Sequence, residues 1–439
     1  MAGQIVVSSI KTDSDNSISF LANTGATIFS ANLASGLSAS SFGDNTITSD
    51  KIVSVANTKI SGNIVSSQIT SVSNTQLTGT ITNSQLGTGA VEQYFADTGY
   101  EAQFRNRIIN GDMKIDQRNA GASVNPNTST DVFPVDRFFV QASQNSKCTA
   151  QQSSTAPTGF TKSLLITSSS AYSVGTNDYF DITHKIEGFN TADLMFGTAN
   201  AKTITLSFWV RSSLTGTFGG SFFNNAFNRS YPFSYTISSA DTWEQKTVTI
   251  AGDTTGTWTT DNTCGLGIAW GLGVGTTYSN TAGAWTGSGE FSVTGAVSVV
   301  GTSGATFYLT GVQLEVGSVA TEFERRPYGT ELALAQRYYQ VLSAGAMFAA
   351  TTNGTTQFSN IGVPLATPMR STPTVGSNDY AAWYSSADGV GSLGLTMTIA
   401  SYSTNASTVG GTLSGFSGLT DNKIAVLRPG NAFRLSAEL

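Results

Sequence analysis

Residues 202–213 read KTITLSFWVRSS, and this stretch decides the fold class. Apolar side chains occupy every second position from Ile204 to Val210, while Trp209 falls on the opposite, polar face. A period of two residues is the pattern of a β-strand with one buried face. The stretch therefore predicts a strand whose Ile204–Val210 face lines a core.

Similar runs occur along the middle of the chain, namely SLLITSS, QKTVTIAG, FSVTGAVSVVG and ATFYLTGVQLEVGS. Each is rich in Thr, Val or Phe and is bounded by turn-forming residues, as expected for several short strands of a sandwich or jelly roll. Gly311 interrupts the alternation in the last run, which predicts a β-bulge. We therefore predict an all-β fold with a jelly-roll β-sandwich over residues 105–328.

The composition agrees with an all-β protein and excludes some partners. Only 11% of the 439 residues are charged and 46 are Gly, whereas about 25% charged residues is usual. The net charge of −6 comes without a basic run, so nucleic acid is not expected as a partner. The sequence has no apolar span of about 18 residues and no hydrophobic signal core. This predicts no membrane insertion and synthesis in the cytoplasm, unless the protein carries its own export route.

The first 90 residues contain a 17-residue repeat, with NTKISGNIVSSQITSVS beginning at Asn57 and NTQLTGTITNSQLGTGA at Asn74. Its apolar ladder consists of Ile47, Ile52, Ile60, Ile64, Ile69, Leu77, Ile81 and Leu86. These spacings do not fit a heptad, and 23 of the 50 residues from 41 to 90 are Ser, Thr or Asn, which disfavour helix interiors. So few apolar residues cannot form a core within one chain. We expect a fibrous shaft of intertwined chains, most simply a homotrimer with this ladder as its core; a disordered linker is the alternative.

Changes in composition divide the chain into five predicted segments. Residues 1–40 form an N-terminal attachment segment, and residues 41–90 form the repeat shaft. Residues 91–104 (VEQYFADTGYEAQF) form a short helical collar before the sandwich of residues 105–328. Residues 329–439 form a smaller C-terminal β-rich tip, which begins with a short helix in ELALAQRYYQ (Glu331–Gln340).

Several stretches resemble a known class of phage proteins. NRIINGDMKIDQRNAG (106–121), PVDRFF, KTITLSFWVRSS, TWEQKTVTIAGDTTGTW and residues 308–339 resemble a domain of tail-fibre proteins from marine phages and cyanophages. LSFWVRSS and GVQLE also resemble the carbohydrate-binding jelly-roll modules attached to glycosidases. The resemblance implies a structural virion protein, mounted through its N-terminus on a tail protein, that attaches the particle to a host-surface glycan or protein.

Two alternatives to a tail fibre stay open. A head fibre mounted on the capsid would have the same adhesive role. A tailspike depolymerase would cleave polysaccharide with paired carboxylates, and 28 Asp and Glu are available to form such a pair. Depolymerases of that kind generally need a long β-helix, whereas this chain consists of sandwich-like strands, so we expect no enzyme. A secreted carbohydrate-binding module is disfavoured because no signal peptide is present.

Catalytic and zinc-binding motifs are missing from the sequence. His184 is the single His, it lies in the strand-like YFDITHKIEGF, and no G-x-S-x-G motif occurs. We therefore expect a structural His. Cys148 and Cys264 stand at no diagnostic spacing, so two buried or idle thiols are expected.

One oxygen-ligand metal site is conceivable in the loop before the first predicted strand of the sandwich. Asn110, Asp112 and Asp116 could contribute oxygen ligands to Ca²⁺. Residues of these types also form turns by bonding to nearby backbone amides, and that interpretation is favoured. We therefore predict no metal and no cofactor.

Loop aromatic residues are the candidate binding residues, because sugars present flat apolar C–H faces that stack on aromatic rings. Five of the six Trp lie between residues 209 and 285. Candidates for receptor or glycan binding are Trp209, Trp258, Trp270, Tyr278 and Trp285 in the sandwich, and Tyr380, Trp383 and Tyr384 in the tip. Packing beneath the loops or at a trimer interface is the alternative. Trp243, which begins a predicted strand, is expected in the core.

Overall fold

The computed structural model describes residues 17–21, 27–32, 104–342, 348–375, 381–385, 389–390, 396–401, 408–414, 421, 424–429 and 433–439. The chain divides into two compact units, Met1–Gln85 and Leu86–Leu439. In the first unit, strands β1 (Ser17–Leu21) and β2 (Thr27–Asn32) form an antiparallel hairpin. The predicted shaft with its ladder, and the predicted collar up to residue 103, lie outside the described residues. The homotrimer therefore stays a prediction.

A two-sheet sandwich occupies the middle of the second unit. Its strands are β3 (Val132–Val135), β4 (Phe138–Ala142), β5 (Cys148–Ser153), β6 (Ser163–Ser168), β7 (Tyr179–Glu187), β8 (Ile204–Ser212), β9 (Gly216–Phe223), β10 (Ser230–Ile237), β11 (Glu244–Ile250), β12 (Cys264–Val274), β13 (Ser279–Asn280), β14 (Ser292–Val293) and β15 (Thr306–Val316). One antiparallel sheet has the order β10-β9-β12-β7-β4-β3, and the other has the order β11-β8-β15-β6-β5. Strands β13 and β14 form a separate parallel pair. For the described residues, the prediction of an all-β, jelly-roll-like fold is confirmed.

The core between the sheets follows from the alternation that the sequence shows. In β8, the Ile204–Val210 face is fully buried, while Trp209 on the other face is half-buried. The facing sheet contributes Trp270, whose ring packs edge-on against Phe208 with 5.8 Å between the ring centroids. Burial of each such side chain contributes about 1.5–3 kcal/mol. The predicted inner face of β8 is confirmed.

Strand β12, with the sequence CGLGIAWGLGV, is buried on both of its faces. Its large apolar side chains enter the core, and glycines alternate with them on the outer face. A Cβ at Gly267 would lie 2.2 Å from the ring of Phe223, and a Cβ at Gly271 would lie 2.6 Å from Oγ of Ser292. Other residues therefore cover the outer face of this strand so closely that it accommodates only glycine at these positions.

The bulge predicted at Gly311 is confirmed. The register between β15 and β8 shifts between Thr310 and Gln313, and Gly311 has a φ of +59°. A Cβ at Gly311 would lie 2.8 Å from Cζ of Phe160 and 2.9 Å from Cδ1 of Trp209. The missing side chain thus lets these two rings pack against the bulge.

The loop before β3 is held by side chains that bond to its own backbone. Nδ2 of Asn110 donates to the carbonyl of Ile115 at 2.8 Å, and Oδ1 accepts from the amide of Ile115 at 2.9 Å. The Asp116 carboxylate accepts amide hydrogen bonds, including one of 2.7 Å from Gly121. Asp112 forms an ion pair of 2.7 Å with the Lys two positions on. The turn-forming interpretation is confirmed for Asn110 and Asp116, whereas Asp112 is engaged in the ion pair. The described residues contain no group of three or more acidic, His or Cys side chains that could hold a metal ion.

One α-helix and two further sheets follow the sandwich in the described part of the chain. Helix α1 (Tyr328–Gln336) confirms the predicted short helix but begins earlier and ends sooner, because the next residues enter a strand. The later strands are β16 (Tyr339–Leu342), β17 (Phe348–Asn353), β18 (Gln357–Pro364), β19 (Thr374–Val375), β20 (Ala381–Ser385), β21 (Gly389–Val390), β22 (Thr396–Ser401), β23 (Thr408–Ser414), β24 (Ile424–Pro429) and β25 (Phe433–Ser436). They form sheets in the orders β16-β25-β19 and β21-β20-β24-β17-β18-β23-β22. The described helices include none that is long and apolar enough to cross a membrane.

Buried ion pairs fasten the residues after α1 to the sandwich. Glu187, at the end of β7, accepts two hydrogen bonds from Arg337, at 2.8 and 2.6 Å, and one of 2.8 Å from the Tyr338 hydroxyl. Glu438 accepts hydrogen bonds from Arg137 and Arg118. Glu187 is 1% exposed and the Arg337 side chain is 30% exposed, so removing the charge of Glu187 would break a partly buried ion pair.

Candidate functional site

A cluster of aromatic rings lies at one end of the sandwich, where the β7–β8, β11–β12 and β13–β14 loops meet the start of β10. Trp258 and Trp285 pack edge to face with 5.3 Å between their ring centroids. Phe196 lies 5.0 Å from Trp258 and 5.7 Å from Trp285, and Tyr231 lies 5.3 Å from Trp285. All four side chains are half-buried. We call these four residues the Trp258 cluster.

Hydrogen bonds to the backbone fix the orientation of both indoles. Nε1 of Trp258 donates to the carbonyl of Thr255 at 3.1 Å, and Nε1 of Trp285 donates to the carbonyl of Ala251 at 2.9 Å. Gly197, with a φ of +82°, passes so close that a Cβ would lie 3.2 Å from Cδ1 of Trp258. With their polar atoms satisfied, the rings contribute mainly their apolar faces and edges to any ligand.

A cavity of about 310 Å³ opens beside the Trp258 ring. Its lining combines apolar side chains with hydroxyl and amide groups: Leu194, Phe196, Thr198, Asn200, Trp258 and Thr260 are among the residues around it. The lining contains no charged side chain. A volume near the lower end of the usual range for ligand pockets, about 300–1,000 Å³, suits one or two sugar rings.

Two ion pairs lie close in sequence to the residues that line this cavity. Asp193 accepts hydrogen bonds of 2.8 and 2.7 Å from Arg107. Asp253 accepts hydrogen bonds of 2.7 and 2.8 Å from Arg229. Burial tends to raise the pKa of Asp253, but the hydrogen bonds from Arg229 and Thr255 outweigh it and lower that pKa. The lining of the cavity carries no charge, which suits an uncharged, hydroxyl-rich ligand.

Of the sandwich candidates that the sequence predicts, the structure brings together only Trp258 and Trp285. Trp270 is 0% exposed, so its candidacy is wrong; alternation in β12 directs its ring into the core. Tyr278 is half-buried against Tyr179, with 5.3 Å between the ring centroids, apart from the Trp258 cluster. Trp209 lies on the other sheet, beside Gly311.

The other candidates and one core prediction have different outcomes. Trp243 is half-buried on Tyr308 at 5.9 Å and is not in the core, because it precedes an edge strand. Trp383 and Tyr384 lie on strand β20, of which only the backbone is described, and Tyr380 lies outside the described residues. The tip residues therefore stay predictions.

Sequence reasoning missed Phe196 and Tyr231, the other two members of the Trp258 cluster. Phe196 follows a short 3-10 helix and Met195, which has a left-handed backbone conformation with a φ of +53°. Tyr231 is on the strand β10, where it reads as an ordinary core residue. Neither position carries a local signal, because the cluster depends on loops distant in sequence.

The buried polar residues fit structural roles. The His184 ring lies in the core 4.6 Å from the Phe138 ring, and burial lowers the pKa of His184, so the expected structural His is confirmed. Cys148 and Cys264 are free and buried, and burial raises their pKa values to about 12 and about 11. The expectation of buried thiols is confirmed.

One carboxylate has a strongly raised pKa without a counter-charge beside it. Asp181 is 0% exposed on β7, and burial raises its pKa to about 7. Oδ1 accepts a hydrogen bond of 2.5 Å from the Thr183 hydroxyl, and Oδ2 has no partner among the described residues. Because no part of Asp181 reaches the surface, this group bears on folding stability and not on an accessible site.

Comparison with known proteins gives remote structural likenesses. No protein-family model and no curated protein matches the sequence. Among solved structures, the enzymatically active domain of tailspike protein 4 of bacteriophage CBA120 is 12% identical with a TM-score of 0.27, over 49% of this chain and 22% of that one. A putative sugar-binding protein of Bacteroides thetaiotaomicron is 10% identical, with a TM-score of 0.27, over 48% of this chain and 100% of that one. A family 11 carbohydrate-binding module of Clostridium thermocellum, bound to a tetrasaccharide, is 10% identical with a TM-score of 0.23, over 46% of this chain and 99% of that one.

These likenesses are too distant to assign a family. The chain spans about a fifth of the tailspike chain that it matches, at 22%. Among the described residues, the uncharged cavity beside Trp258 is the strongest candidate for a ligand-binding site.

Proposed function

We propose that the chain is an adhesive, carbohydrate-binding protein that binds an uncharged sugar at the Trp258 cluster. The observation that carries this proposal is the half-buried Trp258 ring beside a cavity of about 310 Å³ with hydroxyl and amide groups but no charge in its lining. Apolar ring faces and edges can contact sugar C–H groups, and hydroxyl and amide groups can bond to sugar hydroxyls.

We further propose that this adhesive function belongs to a phage tail fibre, with a capsid-mounted head fibre as the alternative. The repeat in residues 41–90 and the resemblance of residues 105–339 to tail-fibre domains support the assignment as a fibre. A trimer would present three equivalent sites, and linked weak sites gain avidity of about 10²–10⁴. Locating the protein on particles by image reconstruction distinguishes tail from capsid.

We propose no catalysis for this chain. Two of the carboxylates with raised pKa values, Asp136 and Asp181, are fully buried, which separates them from any polysaccharide substrate. Incubation of the full chain with host polysaccharide should release no new reducing ends. The appearance of new ends would favour the depolymerase instead.

The Trp258 site is tested by titrating the full chain with neutral hexasaccharides of glucose, mannose, galactose and xylose in a calorimeter. Trp258→Ala should weaken binding by about 2 kcal/mol, about thirtyfold in Kd, as expected for an aromatic residue at the centre of a contact. Trp243→Ala is the matched control, because Trp243 is also half-buried but lies just before β11 and packs on Tyr308 of β15, away from the cavity. Equal affinity of the Trp258→Ala variant and the wild type, with an unchanged melting temperature, would refute the site.

A further inference from the structure

A second aromatic surface lies on the outer face of the sheet β11-β8-β15-β6-β5. Trp209 of β8 points away from the core and packs beside the Gly311 bulge, where Phe160 meets it. Phe160 packs edge-on against Phe323 with 5.1 Å between the ring centroids. The Arg325 guanidinium lies 4.7 Å from the Phe160 ring centroid and 5.6 Å from that of Phe323. We call this set of residues the Arg325 face.

The Arg325 face differs from the Trp258 cluster in its unused hydrogen-bond donors. Within the part of the chain that the structure describes, neither Nε1 of Trp209 nor the Arg325 guanidinium donates a hydrogen bond to any protein group, and Arg325 is exposed. In the Trp258 cluster, by contrast, both indole N–H groups donate to backbone carbonyls. The Arg325 face therefore combines ring surfaces with an open cation and an open N–H donor.

We propose that the Arg325 face binds an acidic sugar, whose carboxylate or phosphate accepts hydrogen bonds from Arg325 while its ring lies on the aromatic residues. The guanidinium is planar and presents paired N–H donors that match an oxyanion. Contact with Phe160 and Phe323 restrains the guanidinium before a ligand arrives, so less side-chain freedom is lost on binding. This site goes beyond the proposed neutral-sugar site, because it lies on the other sheet and recognises charge.

Arg211 offers a matched control on the same face of the sheet. Its guanidinium also lies over an aromatic ring, 5.0 Å from the centroid of Tyr308. Unlike Arg325, it is already engaged by Asp241, through hydrogen bonds of 2.8 Å to the carbonyl and 3.0 Å to the carboxylate. Removing the Arg211 charge should therefore not affect an anionic ligand at the Arg325 face.

The experiment titrates the full chain with a galacturonate hexasaccharide, with a phosphorylated mannan oligosaccharide and with the neutral hexasaccharides. Arg325→Gln should weaken binding of an acidic probe about tenfold, the size of one charge-assisted hydrogen bond. Trp209→Phe, which keeps a ring and removes the N–H group, should weaken it less, and Arg211→Gln should leave it unchanged. Added salt should weaken acidic-probe binding but not neutral-probe binding. The two acidic probes decide whether carboxylate or phosphate is preferred.

Three results would overturn the inference: no binding of either acidic probe by the wild type, equal losses in Arg325→Gln and Arg211→Gln, or full affinity in Arg325→Gln. Melting temperatures of the variants ensure that a loss reflects the site and not the fold. Trp258→Ala separates this test from the proposed function, since it should weaken neutral-probe binding about thirtyfold and leave acidic-probe binding intact. If the wild type binds the acidic probes but no neutral probe, the proposed function is wrong and the proposal for the Arg325 face is supported.

Discussion

Replacing Asp181 by Asn should stabilise the sandwich at neutral and higher pH. Asp181 is fully buried, and burial raises its pKa from 3.8 to about 7. Between pH ~4 and ~7 the folded protein therefore keeps a proton that the unfolded chain has released. Stability falls as the pH rises through this window, and above it the charged carboxylate is desolvated in the folded state.

The size of the effect follows from the shift in pKa. A difference of about three units corresponds to roughly 4 kcal/mol between pH ~4 and pH ~8. Asn keeps the shape and can still accept the hydrogen bond from Thr183, but it does not titrate. The variant should therefore not lose this stability as the pH rises. The difference in unfolding free energy between Asp181→Asn and the wild type should increase from pH ~4 to pH ~8.

The measurement is urea unfolding of the full chain and of Asp181→Asn at several pH values, followed by the fluorescence of the buried Trp270 and the other Trp. The difference in unfolding free energy between the two proteins cancels the titration of all other groups. A difference that stays constant from pH 4 to pH 8 would refute the assignment of a raised pKa to Asp181.

Other predictions concern the close contacts that define the fold. Gly311→Ala places a Cβ 2.9 Å from Trp209 at a φ of +59° and should cost about 2–4 kcal/mol, seen as a lower melting temperature. A melting temperature equal to that of the wild type would contradict the close packing at the bulge. Trp270→Ala leaves a cavity in the core and should lower the free energy of unfolding in urea by about 3–5 kcal/mol. A loss below about 1 kcal/mol would contradict the burial of Trp270 in the core. Glu187→Gln should cost about 1–3 kcal/mol, because it removes the charged partner of Arg337, whose side chain keeps 30% of its surface exposed. Faster proteolysis after α1 is the expected sign, and unchanged proteolysis would argue against a stabilising role of this ion pair.

The sequence predicted the sandwich because its strands carry a local signal. Alternation in β8 places Trp209 outside and Phe208 inside, as the structure shows. The same alternation exists in β12. Because every second residue there is mostly Gly, the sequence predicted a loop at these positions instead of a strand. The glycines are required because Phe223 and Ser292 cover the outer face of β12, and that contact arises only in the folded chain.

The Trp258 cluster was only partly predictable. Trp258 and Trp285 were identified as loop aromatics from the Gly-rich sequence around them. Their contact with Phe196 and Tyr231 depends on loops that come together at one end of the sandwich, and no period in the sequence encodes that. The uncharged lining of the cavity was equally hidden, because it is formed by residues 191–200 and 258–266, which lie apart in the sequence.

The central claim is tested most directly by ¹⁹F NMR of the full chain labelled with 5-fluorotryptophan, with each of the six Trp resonances assigned by a Trp→Phe variant. Neutral hexasaccharides should shift the resonances of Trp258 and Trp285 and leave those of Trp270 and Trp209 in place. Neutral-sugar binding that moves other resonances but not that of Trp258, or no binding at all, would contradict the account.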